Sequence, residues 1–163
     1  MNDFNRGVLA GLAGTAVMSA AMAASRAAGA MRREVPPRVI SDHAERAIGV
    51  RHHLSRPAFE ASWVANHLAY GAAAGVAYAA IDRRFGPSPL VAGPAFGVSL
   101  WIISYGGWLP AVGLYPPPTE DAPDRVATMI AHHLIYGTTT ALAAWALRPI
   151  DAAAAPRAPT VPT

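Results

Sequence analysis

The chain has 163 residues, which is room for one domain. Only 14% of the residues are charged, against about 25% in soluble globular proteins, while 53% are hydrophobic. The net charge of +3 arises from thirteen basic residues, all arginine, and most of them flank uncharged runs, a pattern of membrane anchors that excludes a nucleic-acid partner. Without cysteine there are no disulfides or zinc–thiolate sites.

Four stretches carry no charged residue: residues 7–25, 61–81, 85–119 and 126–147. A hydrocarbon core of about 30 Å requires about 20 helical residues, and each stretch meets that length. The first stretch follows an arginine, as in a signal peptide, but its apolar part is longer than a typical signal core. We therefore predict four membrane-spanning helices, the first of them retained.

The first predicted span covers about residues 6–31 and ends before Pro36 and Pro37, because a residue preceding proline avoids the helical region. Residues 39–48 form a short amphipathic segment that we expect to lie in the membrane interface. Ser41 is its predicted cap, and Gly49 is expected to end it. Its apolar side is Val39, Ile40, Ala44, Ala47 and Ile48, opposite Asp42, Glu45 and Arg46.

The second predicted span runs from Pro57 to residues 82–84, and a short turn makes the third span its antiparallel neighbour. The third uncharged run, residues 85–119, is too long for one straight helix. We predict a helix to about Tyr105 and irregular or re-entrant backbone after it, since glycine and proline follow. The fourth span covers residues 123–148, and residues 150–163 are predicted to be a disordered tail.

The second and fourth spans are related in sequence. At a constant offset of 66 residues, nine of 24 positions are identical between residues 57–80 and 123–146. Such a duplication predicts one repeat over about residues 5–82 and a second over about 89–148, within a domain of residues 1–149. The predicted fold is all-α: an integral membrane four-helix bundle of two tandem two-helix repeats with parallel topology, plus the short interfacial helix.

Every predicted span contains two small residues four positions apart. Small residues one turn apart let helix backbones approach closely, which provides dispersion contacts that lipid cannot match. We interpret the pairs as packing contacts within the bundle, with formation of a homodimer or a larger membrane complex as the alternative. The pairs are Gly7 and Gly11, Gly71 and Gly75, Gly93 and Gly97, and Gly137 and Ala141.

Two histidines, His67 and His133, occupy equivalent positions of the repeat, about 9–11 Å below the predicted membrane surface at 1.5 Å per residue. Neutral imidazoles bonded to Tyr70, to Tyr136 or to a facing helix are one interpretation. A proton- or ion-responsive site and axial ligation of haem are the others, with His132 available to either. We expect the two rings to lie close together, and we expect no bound cofactor and no metal.

The most acidic segment holds Glu120, Asp121 and Asp124, just before the fourth span. Carboxylates there complement the helix dipole; a cation- or proton-collecting loop is the alternative. The sequence has no phosphate-binding glycine loop and no zinc-protease motif, and we expect a protein without enzymatic activity. The side chains expected to anchor the protein at the interface are Trp63, Trp101, Trp108, Tyr115 and Trp145.

With this pattern the chain resembles the YagU-like family of small bacterial inner-membrane proteins. The resemblance is carried by the glycine-rich segment of residues 7–18, by Pro36 and Pro37, and by the two His-Leu-x-Tyr-Gly motifs that begin at His67 and His133. It implies a multi-pass protein of the bacterial inner membrane with a structural, accessory or stress-related role, with a link to acid stress. A transporter or channel with a polar site at the paired histidines, and a haem- or quinone-binding membrane subunit, are the alternative functions.

Overall fold

A computed structural model describes residues 1–31 and 34–148 of the chain, and all of their regular structure is helical. The all-α prediction is therefore confirmed, whereas the tail predicted at residues 150–163 lies outside the described residues. The helices are α1 (Asp3–Ala27), α2 (Pro36–Ala47), α3 (Arg56–Phe85), α4 (Pro89–Ile103), α5 (Leu109–Ala111) and α6 (Pro123–Ala146). Single 3-10 turns cover Arg51–His53 and Pro118–Glu120.

Local capping explains the start of α1 and both ends of α3. The Asn2 side chain accepts a hydrogen bond from the backbone N–H of Asn5 (2.8 Å), and Ser55 does the same for Ala58 (3.4 Å), so α1 and α3 begin with a satisfied donor. Gly86 has φ of 55°, a left-handed conformation that ends α3. Only residues 86–88 then separate α3 from α4, so the two helices run in opposite directions, as predicted.

Helix α2 differs from its prediction. It begins at Pro36, because proline is compatible with a first helical turn, and Ser41 is therefore a buried mid-helix residue rather than its cap. Ser41 accepts a hydrogen bond from Asn66 at 3.2 Å. Glu45, which we had assigned to the outward polar side, is buried and bonded by Ser62, whereas Ile48 is 73% exposed. The side of α2 that faces the protein is thus more polar than predicted.

The predicted break after Tyr105 is also wrong. The chain continues from α4 through a π-helical turn at Ser104–Trp108 into α5, and the N–H of Leu109 bonds to the carbonyl of Ser104. One wide turn of this kind inserts an extra residue without ending the helix, and such turns are common at functional sites. Irregular backbone begins only at Val112 and includes Gly113, with φ of 71°.

Helix α1 packs against α3 and α6, α6 packs against α4, and α2 lies on α3. Helices α3 and α4 meet through side chains, as where the Tyr78 ring contacts the edge of Phe96 at 5.2 Å. By length and composition, α1 and the continuous segment Pro89–Ala111 are apolar enough to cross a membrane. This finding supports the membrane prediction in its coarser form, for two of the four predicted spans.

In one half of the structure, glycines bring helix backbones into contact. A Cβ atom on Gly7 would lie 2.6 Å from the Cα atom of Val76, and one on Gly93 would lie 2.8 Å from the carbonyl oxygen of Gly137. Neither separation leaves room for a side chain, so α1 touches α3 and α4 touches α6 at equivalent positions of the proposed repeat. We call this half, where α1 and α4 begin and α3 and α6 end, the glycine end. The opposite half is the cavity end.

Candidate functional site

The cavity end contains a half-open space of about 360 Å³ between α1, α3, α6 and the α4–α5 segment, with α2 above it. Its walls are mainly apolar. Four of the five methionines of the chain line it, namely Met18, Met22, Met31 and Met129. Methionine has an unbranched, polarisable side chain that adapts to differently shaped contacts, so these walls suit an adaptable binding site. We call this space the methionine cavity.

The structure brings all three candidate histidines to the methionine cavity. The Nδ1 atom of His133 lies 2.8 Å from the carbonyl oxygen of Met129, and its ring meets the edge of Tyr105 at 5.7 Å. His132 is buried, and its Nε2 atom lies 3.0 Å from the Ser25 hydroxyl on α1. Each of these two rings is thus oriented by a specific neighbour, one turn away or on the adjacent helix.

His67 differs from both. Its Nε2 atom is shielded from solvent and has no hydrogen-bond partner among the described residues. The tyrosines that we had expected to bond the histidines bond elsewhere: the Tyr70 hydroxyl lies 2.6 Å from that of Ser104, and Tyr136 donates to the Gly71 carbonyl at 2.6 Å. A shielded polar atom without a partner is costly, so the imidazole of His67 is the natural contact for a polar atom of a ligand.

Aromatic side chains close the methionine cavity between α3 and α4. The Tyr70 ring lies 6.4 Å from that of Trp108, and its hydroxyl contacts Ser104. Ser104 and Trp108 are the first and last residues of the π-helical turn, which directs both of them toward α3. Tyr70 and Trp108 line the methionine cavity, and each is 40% exposed, so solvent or lipid reaches both side chains.

Helix α2 is held above the methionine cavity by polar contacts. Arg38 bonds to Glu60 at 2.9 Å, and Glu45 accepts a hydrogen bond from Ser62, so α2 is joined to α3. On the other side, His43 Nδ1 lies 2.9 Å from the carbonyl oxygen of Leu114, beyond α5. Apolar contacts add to them, since Val39 and Ile40 pack against the buried cluster of Tyr105, Leu109, Tyr115 and Met129. Helix α2 thus forms a roof that is held by both polar and apolar contacts.

A second cavity of about 390 Å³ lies beside the first, between α1, α3 and the start of α2. It is open to the surface, and most of its lining area is apolar, but five charged side chains also reach it, so we call it the polar cavity. Glu60 accepts hydrogen bonds from the Trp63 Nε1–H at 2.6 Å and from Arg38 at 2.9 Å. The charged and aromatic residues that line the polar cavity are Arg26, Glu34, Arg38, Arg56, Glu60 and Trp63.

The predicted acidic loop is not part of either cavity. Asp121 pairs with Arg125 at 2.8 Å, and Glu120 and Asp124 are exposed. In the part of the chain that the structure describes, no group of three or more metal-binding side chains comes together. Tyr115, predicted as an interfacial anchor, is instead buried against Tyr105 at 5.2 Å. Asp124 thus lies in the first turn of α6, where a carboxylate complements the helix dipole.

Comparison with protein-family models, with curated proteins and with solved structures gives no match.

Sequence reasoning missed a buried ion cluster at the glycine end. Arg6 donates to Asp82 at 2.7 Å, and their side chains are only 4% and 3% exposed. Arg148 bonds the same carboxylate with its Nε atom at 3.2 Å, and Arg6 also donates to the Ala144 carbonyl at 3.2 Å. A signal was present, since Asp82 and Arg148 stand at equivalent positions of the offset of 66 and carry opposite charges. The cluster closes this end of the helix assembly.

Proposed function

We propose that this chain is an integral membrane protein of two tandem helix pairs that crosses the bilayer four times and binds a small, largely apolar molecule in the methionine cavity. The observation that carries the binding proposal is the cavity itself. Its volume of about 360 Å³ lies within the range of small-molecule sites, and such sites combine apolar walls with a few convergent polar groups. His67 supplies such a polar group, because its Nε2 atom is shielded and without a partner among the described residues.

Four spans are supported by where charge and apolar surface lie. In α3 and α6 the charged residues stand in the terminal turns, so the stretches between them carry only neutral side chains. Large apolar side chains point outward along the length of the helices, as lipid contact requires. They include Val17 on α1, Val64 on α3, Ile102 on α4 and Leu142 on α6. The pairs α1 with α3 and α4 with α6 then correspond to the two repeats.

The bilayer is the natural source of the ligand. An apolar molecule concentrates in lipid, and the wall between the methionine cavity and the outer surface at α3 and α4 is formed by Tyr70 and Trp108 side chains. A rotamer change at Tyr70, with loss of its contact to Ser104, opens this wall without moving a helix. Placement in a bacterial inner membrane, and an accessory role without catalysis, follow from the resemblance to the YagU-like family.

Reporter fusions test the four-span topology. A fusion at Thr163 and a fusion inserted at Gly86 should report the same side of the membrane. Eight of the thirteen arginines lie on the opposite side, so their count favours termini outside the cell, whereas the tight turn after Arg83 and Arg84 and the family resemblance favour the cytoplasmic side, which we expect. Opposite locations of the two reporters would refute four spans.

Binding of a neutral fluorescent probe tests the binding site. N-phenyl-1-naphthylamine should fluoresce in lipid nanodiscs that hold the protein, above the signal of protein-free nanodiscs. Met129→Trp, which fills the methionine cavity, should remove that increment, and Ala44→Phe should do so from the roof. Val17→Trp on the outer surface of α1 is the matched control.

An unchanged increment in both filling variants would refute ligand binding in this cavity. An absorbance spectrum of the purified protein distinguishes the proposed apolar ligand from the alternative, haem. A haem Soret band that is lost in both His67→Ala and His133→Ala would replace the proposal with bis-histidine haem binding.

A further inference from the structure

The methionine cavity and the polar cavity are neighbours. Met22 and His67 line both of them, so the side chains of these two residues form the partition. Met22 has an unbranched side chain whose rotamer can change without a backbone shift. One elongated molecule can therefore occupy both cavities at once, with His67 beside its middle.

The polar cavity has an excess of positive charge. Three arginines and two glutamates line it, which leaves a net charge of +1 among its described residues. Glu34 lies 3.8 Å from Arg26 and 3.4 Å from Arg38, and Glu60 is bonded by Arg38. Arg56 is exposed and has no ion pair within 4 Å among the described residues, although its charge acts on Glu60 from a greater distance. Because Glu60 is bonded by Arg38, Arg56 is the arginine of this set that an added anion can reach. A guanidinium group in this position matches a carboxylate or phosphate, which it can bind through two parallel N–H groups.

The depths of the two cavities match those of an amphiphile in a bilayer. Arg26 lies in the last turn of α1 and Arg56 in the first turn of α3, at the interface of the proposed spans. His67 follows Arg56 by 11 residues, and at 1.5 Å per residue it lies roughly 16 Å along α3 toward the bilayer centre. An amphiphile with its charged head group at Arg56 and its apolar chain beyond His67 would thus lie at the same depth as a lipid in the bilayer.

Given a ligand in the methionine cavity, as proposed above, we infer that it is a single-chain anionic amphiphile. Its carboxylate or phosphate head lies in the polar cavity against Arg56, and its apolar chain passes Met22 and His67 into the methionine cavity. A free fatty acid and a single-chain phosphate lipid share this chemistry. The inference adds the charge and the orientation of the ligand to the proposed function.

Three probes with the same alkyl chain test the inference: dodecanoate, dodecyl phosphate and dodecanol. Each displaces N-phenyl-1-naphthylamine from the protein in zwitterionic nanodiscs, at a pH where the carboxylate is ionised. The two anions should act at concentrations about tenfold lower than the alcohol, the ratio expected when one hydrogen bond to a charged group is gained. Tighter binding of dodecanoate would indicate a carboxylate head group in the ligand, and tighter binding of dodecyl phosphate would indicate a phosphate head group.

In Arg56→Gln, the two anions should displace the fluorescent probe at the same concentration as dodecanol, and the concentration that dodecanol requires should not change. Arg83→Gln, at an arginine that is 72% exposed at the glycine end, is the matched control and should retain the preference. If Arg56→Gln does not fold, added salt in the unmodified protein serves instead, because screening weakens anion binding alone.

Two failures are distinguishable. If dodecanol binds as tightly as the anions and Met129→Trp abolishes all three, the methionine cavity binds ligands but the charge inference is wrong. If none of the probes competes and Met129→Trp changes nothing, the proposed function itself fails. An anion preference that survives Arg56→Gln would also overturn the assignment of the head group to the polar cavity.

Discussion

The glycine end and the cavity end are built from the same helices, yet they pack in opposite ways. At the glycine end, Gly7 and Gly93 touch the backbones of α3 and α6, and Arg6 and Asp82 form a shielded ion pair. At the cavity end, methionine and aromatic side chains separate the helices, and a space of about 360 Å³ remains. Small residues thus let the helices touch at the glycine end, while large flexible side chains lie between them at the cavity end.

The difference follows the size of the residues at the helix contacts. At the glycine end, Gly7 and Gly93 let the backbones meet. At the cavity end, methionine, tyrosine and tryptophan side chains line the space between the helices and fill it only in part. The π-helical turn at Ser104–Trp108 and the roof helix α2 lie at that end. The distribution of small and large residues along the helices therefore places the site.

The largest expected effect is at the glycine end. Asp82→Leu should cost about 3–5 kcal/mol of unfolding free energy, because shielded Arg6 would keep only the half-exposed Asp3 as a counter-charge. A denaturant titration in detergent measures the cost. Asp3→Leu is the control, since Asp3 also contacts Arg6 but is 48% exposed, and it should cost less than about 1 kcal/mol. The double variant Arg6→Met with Asp82→Leu should recover most of the loss, and no recovery would show that shielding of the charge is not the cause.

Enlarging a small residue should have opposite consequences at the two ends. Gly71→Leu and Gly137→Leu should each cost about 1–3 kcal/mol, because a Cβ atom on Gly137 already lies 2.8 Å from the Cα atom of Gly97 and the Gly71 position meets Thr15. Ala44→Leu, which points into the methionine cavity, should be neutral or stabilising in the same detergent melt. A severe effect of one glycine variant beside a silent other would show that the two helix pairs are not equivalent.

A smaller effect is expected in the roof of the cavity end. Hydrogen bonds from Arg46 and Arg51 lower the pKa of Asp42 below its usual 3.8, so the ionised form favours the folded state. Its contribution is complete above that value and is lost as the pH falls through the lowered folded-state pKa. For an ion pair near the surface this amounts to about 0.2–1 kcal/mol.

The measurement is the difference in melting between the unmodified protein and Asp42→Asn. That difference should shrink between about pH 5 and pH 2. A difference that is constant over this range would mean that Asp42 contributes through something other than its charge.

The smallest effect on stability is expected at His67. His67→Leu should leave the unfolding free energy unchanged or raise it slightly, because its Nε2 atom has no partner to lose among the described residues and leucine removes an unsatisfied polar atom. His133→Leu should cost about 0.6 kcal/mol, the average for hydrogen bonds in membranes, through loss of the contact to Met129. Both variants should weaken probe displacement. A destabilised His67→Leu with normal binding would assign this residue a purely structural role.

Much of the secondary structure could be predicted from the sequence. Helix α3, predicted from Pro57 and found at Arg56–Phe85, is bounded by the Ser55 cap and by Gly86. Helix α6 begins at Pro123 as predicted. These signals act within a few residues of each other, so they need no knowledge of the rest of the chain. The predictions at Ser41 and after Tyr105 failed because contacts to α3 and the tolerance of a π-helical turn overrode local propensity.

By itself the sequence determined that the chain is helical, where its long helices run, and which small residues allow close contact. These properties follow from charge distribution, helix signals and spacing, all of which are local. Only the tertiary structure decided that His67, Met22 and Met129 surround one cavity and that Arg56 lines the polar cavity beside it. The same holds for the ion pair of Arg6 with Asp82, which are 76 positions apart in the chain. The physical reason is that such contacts depend on how far the helices diverge and how they are rotated, and both are set by the packing of all the helices together.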